Sequence, residues 1–159
     1  MVYAFIVGPV AIAVRYWEER DREVEGGARI EVRRVAEVIG ERHRPGAAGW
    51  RIEPVADGGL WRSDILTVIS RPGNEVRYHH HPEFSDGDVG RRVFDPEMTA
   101  DPVGFTMARL ADVPRLLADA GEPELAEQVD RAAVEAVLPA VRDAIDACLA
   151  RMPRVPADA

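Results

Sequence analysis

The chain has 159 residues, 47% of them apolar and 30% charged, with a net charge of −8. That length suits one domain with a sizeable core. Net negative charge repels phosphate backbones, which disfavours nonspecific nucleic-acid binding. The single cysteine, Cys148, excludes an intrachain disulfide and the cysteine-rich zinc patterns. All 20 basic residues are arginine. With the richness in alanine and valine, this is the pattern of a high-GC bacterial genome, not the mark of a function.

The opening "MVYAFIVGPVAIAV" is apolar but is interrupted at Gly8-Pro9. Its run of about 13 residues is too short to span a bilayer. It has no basic start, and "RYWEERDRE" follows it where a small-residue cleavage site would stand. It reads as buried strand, and a cytoplasmic location with no membrane partner is expected.

Strand signals continue to His81. From Val10 to Trp17, Val10, Ile12, Val14 and Tyr16 alternate with Ala11, Ala13, Arg15 and Trp17. After a turn-like "DREVEGGA", the segment "RIEVRRVAEV" sets Ile30 and Val32 against Glu31 and Arg33, so the two segments plausibly pair as a hairpin. "ERHRPGAAG", with His43, reads as a loop and "WRIEPV" as a short edge strand. "ADGG" reads as a turn, "LWRSDILTVIS" as the clearest strand, and "RPGN" as the turn into "EVRYHHH". The sum is an antiparallel meander of about five strands over residues 2–83.

Residues 85–105 are rich in Gly, Pro and Asp and read as a long connection, of the kind often used as a lid or binding loop. Helical spacing follows. Leu110, Val113, Leu116 and Leu117 form one stripe, stopped by Gly121. From Glu122 to Arg151 a long helix is expected, with Pro123 in its first turn and a kink or break at Pro139. Its apolar side would be Leu125, Val129, Ala133, Ala136, Ala140, Ala144 and Cys148, widened by Val137, Val141, Ile145 and Leu149. The fold class is therefore α+β, a sheet followed by helices that pack on one of its faces. It forms one domain over residues 1–151, with a flexible tail at 152–159.

Three consecutive histidines mark the candidate site. Alternation puts His79, His81 and Glu83 on one face of their strand, and Tyr78 and His80 on the other. With a Pro72-Gly73 turn, Asp64 would oppose His81, Leu66 would oppose His79, and Arg62 would oppose Glu83. Arg62, Asp64, His79, His81 and Glu83 then share one patch. A carboxylate beside an imidazole raises its basicity and orients it. Asp64, His79 and His81 are thus candidate acid–base residues. Arg62 and Arg92 would bind an anion, and Trp61, Tyr78, Glu83 and Phe84 would complete the pocket for a small-molecule ligand.

A divalent transition metal held by His79 and His81, with Asp64 or Glu83 as a third ligand, is the alternative. From Gly73 through His79-x-His81 to Asp86 the chain resembles the first cupin motif, which implies a metal site in a β-barrel. The resemblance covers about 14 residues. The second cupin motif needs a histidine on a later strand, and none follows His81. The functional expectation is a small enzyme working by His/Asp acid–base chemistry. Its rivals are a metal-dependent enzyme and a non-enzymatic small-molecule-binding or antitoxin-like interaction protein. A homodimer through an exposed helix stripe is left open.

Overall fold

Alternating side chains over the first eighty residues become five antiparallel strands in a computed structural model. It describes residues 2–20, 22–38, 53–71, 73, 75–85 and 88–153, with backbone alone for 36–38 and 53–57. The strands are β1 (Val2–Val7), β2 (Val10–Arg20), β3 (Val24–Val38), β4 (Glu53–Val68) and β5 (His79–His81). They lie in the sheet in chain order. A two-stranded hairpin follows, β6 (Phe84–Ser85) and β7 (Asp88–Val89). The helices are α1 (Pro96–Ala100), α2 (Pro102–Leu110), α3 (Val113–Asp119), α4 (Pro123–Ala126) and α5 (Arg131–Leu149). The architecture is the expected α+β, an open sheet rather than the barrel that the cupin-like motif implies.

The strand boundaries differ from the expected ones: β3 starts at Val24, inside the turn-like "DREVEGGA", and β5 keeps only His79–His81 of "EVRYHHH". Gly8-Pro9 is a true reversal, with Gly8 in the left-handed region at φ 57°, so the opening run is two strands and not one. "ADGG" is not a turn. β4 runs straight through it, and the β3–β4 register shifts there, between Val32 and Arg34 on the partner strand. Gly58, at φ 53°, supplies the left-handed residue that such a bulge needs. The loop expected at "ERHRPGAAG", with His43, lies outside the described residues, as does Asp86. Most of the expected C-terminal tail does so too.

The 85–105 stretch is not a structureless connection. Val93 bridges back to His80, and α1 and α2 begin at Pro96 and Pro102. Two of its aspartates are caps: Asp95 accepts from the Glu97 amide and Asp101 from the Gly104 amide. Asp112 caps α3 in the same way, so the first helical stripe is two helices and not one. Each of these caps is followed within two residues by a proline in the first helical turn. Gly121 ends α3 as expected, at φ 85°. The long C-terminal helix breaks at 127–130, where Asp130 caps α5 through the amides of Ala132 and Ala133. Pro139 does not interrupt α5. It sits on the exposed side, where the carbonyl it leaves unbonded can face water.

The helices cover the face of Ile12, Val14, Ile30, Val32, Trp61 and Ile65. α5 contributes Val134, Val141, Ala144, Ile145 and Cys148. Ala136 and Ala140, expected on this stripe, are exposed, because the buried side centres on Val134, Val141, Ile145 and Cys148 and leaves them at its edge. A buried hydrogen bond of 2.7 Å between Ser63 and Thr106 ties β4 to α2. The opposite face of the sheet is polar, and it carries the site.

Candidate metal and acid–base site

Across β2 to β5 the face away from the helices presents Arg15, then Arg29 and Glu31, then Arg62 and Asp64, then His79 and His81. This follows from period-two alternation once the registers are known. Asp64 opposes His79, Ser63 opposes His80, and Arg62 opposes His81. Each partner is two residues from the expected one. The amide of Val68 donates to the Glu75 carbonyl and that of Arg77 to the Leu66 carbonyl, which centres the reversal one residue earlier than a Pro72-Gly73 turn would. An even displacement keeps every side chain on its face. Arg62, Asp64, His79 and His81 therefore still share one patch, with new partners.

The patch is buried. Asp64 is 0% exposed, His79 2% and His81 4%. The β6–β7 hairpin and the segment after it supply part of the cover. The Phe94 ring lies tilted over His79 at 5.5 Å, and the Arg62 guanidinium lies 5.3 Å from the Phe84 ring. Gly59 makes the room, since a Cβ there would stand 2.2 Å from Phe84 Cε1.

Both imidazoles are oriented by backbone. His79 Nδ1 lies 2.7 Å from the Arg77 carbonyl and His81 Nδ1 2.8 Å from the Gly90 carbonyl. A carbonyl only accepts, which assigns the hydrogen of each ring to Nδ1. Both Nε2 atoms then face Asp64 Oδ2, at 3.3 Å from His79 and 3.6 Å from His81. His79 Nε2 is fully buried and makes no aligned hydrogen bond. The three ligand atoms lie within 4.8 Å of one another.

Arg29 holds the other side of Asp64, donating from Nε to Oδ1 at 2.6 Å and from Nη2 to Oδ2 at 3.3 Å. Its guanidinium stacks 4.1 Å from the Trp17 ring. Burial alone would raise the Asp64 carboxyl. Its contacts with His79, His81 and Arg29 override that and hold it far below the ordinary carboxylate range. Beside it, Glu31 is 2% exposed and is shared by Arg15, Arg33 and Arg62 at 3.1, 3.1 and 2.7 Å. Burial pushes its carboxyl up, and the three arginines more than reverse the shift. Three guanidinium groups on one carboxylate leave an excess of positive charge next to Asp64.

The remaining candidates fall elsewhere. Trp61 and Tyr78 turn to the helical side, where Trp61 is buried and Tyr78 packs against the core. Glu83 is exposed and lies beyond β5, and Arg62 pairs with Glu31 in its place. Arg92 is exposed and meets Glu19 at 3.4 Å. Phe84 does wall the patch. Arg29 and Glu31 escaped the sequence reading. Their signal was the polar half of "RIEVRR", which becomes informative only when β3 is known to pair with β4. No family model, curated protein or solved structure matches the chain.

Proposed function

We propose that Asp64, His79 and His81 bind one divalent transition metal, and that the centre acts on a small anionic molecule. The observation that carries this reading is the pair of Nδ1–H groups pinned by carbonyls. It aims two unprotonated Nε2 atoms at one carboxylate oxygen. Without a cation or a proton between them, three electron-rich atoms face each other in a buried site, which is unfavourable. Donor atoms bound to one metal at about 2.0–2.2 Å stand roughly 3–4 Å apart, and the two histidine–carboxylate separations, 3.3 and 3.6 Å, fall in that range. Carbonyl partners on the far ring nitrogen are also the usual outer support of histidine ligands. Two imidazoles and one carboxylate suit zinc, iron, cobalt or nickel, and such a metal polarises a bound oxygen or lowers the pKa of bound water. The arginines around Glu31 supply the field for an anionic substrate.

The acid–base reading is the second. A proton on Nε2 of either histidine, shared with Asp64, would satisfy the same atoms. It would act on a substrate only if one imidazole left its carbonyl, because each ring nitrogen already faces a protein oxygen.

Elemental mass spectrometry of untagged protein, purified without a nickel column, separates the two. The metal reading expects close to one transition metal per chain, lost in His79→Ala and Asp64→Ala. Absence of metal, together with no uptake of added Zn²⁺, Fe²⁺ or Co²⁺, would overturn it in favour of the proton.

A further inference from the structure

β5 has a second side. His80, between the two candidate ligands, points away from them into a cleft of about 670 Å³ between the sheet and α2–α3. Clefts of this size commonly take small molecules. Its floor is a ladder of rings. Trp61 and His80 have centroids 6.4 Å apart, and His80 and Phe105 5.3 Å apart. One helical turn beyond Phe105, the Arg109 guanidinium stands 4.9 Å from the Phe105 centroid.

Among the described residues, one group here lacks a hydrogen bond and another lacks an ion pair. His80 is 8% exposed, and its Nδ1 is buried without a hydrogen bond. Arg109 forms no ion pair among the described residues, whereas the acids that line the cleft are mostly engaged. Asp101 caps α2, Asp112 pairs with Arg131 at 2.8 Å, and Asp119 pairs with Arg115 at 3.9 Å. Glu97, exposed at the rim, is the remaining acid. A guanidinium without an ion pair, beside a row of tilted rings at the mouth of a cleft, calls for a flat ligand with one negative charge.

We propose that this cleft binds a small aromatic monocarboxylate, its ring against His80 and Phe105 and its carboxylate on Arg109. The proposal stands apart from the metal reading, since these residues lie on the other face of the sheet. Glu97 at the rim selects against a second negative charge.

The test is an NMR titration of the full-length protein with indole-3-carboxylate, with and without EDTA. The expected result is saturable shifts at Trp61, His80 and Phe105, with a dissociation constant of about 1 mM or below. Binding should weaken about tenfold or more in Arg109→Ala and less in Arg109→Lys, which keeps the charge but not the fork. The neutral probe indole-3-carboxamide should weaken by a similar factor. Arg109 is exposed, so its variants should fold, and their amide spectra would verify it. Absence of saturable shifts, equal binding of the carboxamide, indifference to Arg109→Ala, or loss of binding on adding EDTA would each overturn the proposal.

Discussion

Asp64 and His79 face each other across the β4–β5 pair, 3.3 Å apart and both sealed from solvent, and Arg29 grips the carboxylate from the opposite side. The carboxylate is thus the junction between a permanent cation and two imidazoles. Placing it there has a cost, because buried ion pairs recover their desolvation only with well-aligned partners. The first consequence concerns what happens when one partner is taken away.

Replacing Arg29 with leucine leaves Asp64 buried without its fixed positive charge. We expect a loss of about 3–5 kcal/mol in metal-free protein. Added Zn²⁺ should restore more stability to this variant than to the parent, because the ion supplies the missing charge. Urea unfolding with and without Zn²⁺ measures both. An equal Zn²⁺ response in the two proteins would argue against a metal on Asp64.

Glu31→Gln removes the one carboxylate that three arginines share. The neutral amide leaves like charges facing each other on the sheet. The loss should be on the order of 3 kcal/mol, reduced by the partial exposure of Arg15 and Arg33. Thermal unfolding at two salt concentrations reads it, and high salt should narrow the gap between variant and parent.

Acid should act through the same two carboxylates. Asp64 and Glu31 both sit below their unfolded values in the folded chain. Their contribution to stability is therefore complete above the unfolded carboxylate range, about pH 4–4.5, and is lost as pH falls through the folded values. Stability measured from pH 6 downward should hold to about pH 4.5 and then decline. In Glu31→Gln the decline should be shallower, with one fewer carboxylate to protonate.

Gly59→Ala tests the cover over the site. The added methyl would meet the Phe84 ring, which must move for it to fit. We expect a cost of about 1–3 kcal/mol. NMR should show the Phe84 and Arg62 resonances shifting while those of the helical core stay in place.

Cys148 should be chemically silent. It is 0% exposed, and burial raises its thiol above the ordinary value, which keeps it protonated. A thiol reagent such as DTNB should react only as the protein unfolds. Rapid reaction in native buffer would contradict its position in the core.

The sheet-then-helices architecture was legible because alternation and helical spacing are local signals. The shared face of Arg62, Asp64, His79 and His81 was legible for the same reason. Its partners were not. Which residue opposes His79 depends on where a reversal is centred, and a shift of one residue there moved every pair by two. Arg29 and Glu31 depend on a third strand, so they became visible only once β3 and β4 were paired across their bulge. The aspartates of 85–105 looked like loop chemistry because a helix cap and a loop use the same residue. Asp95-Pro96 and Asp101-Pro102 were the clue, as the junction of a cap and a first turn.

β5 is three residues long and is hydrogen-bonded on both edges, to β4 and, through His80, to Val93. Its middle side chain faces the helices and its outer two face the arginines, with a single peptide unit separating each from the next. A strand this short and this well tethered cannot shift on one face and stay still on the other. Both faces therefore hang on the same few backbone hydrogen bonds, and loosening β5 at either edge would disturb the imidazoles on both sides of the sheet. Three adjacent histidines thus share one short strand between two chemically separate sides of the sheet.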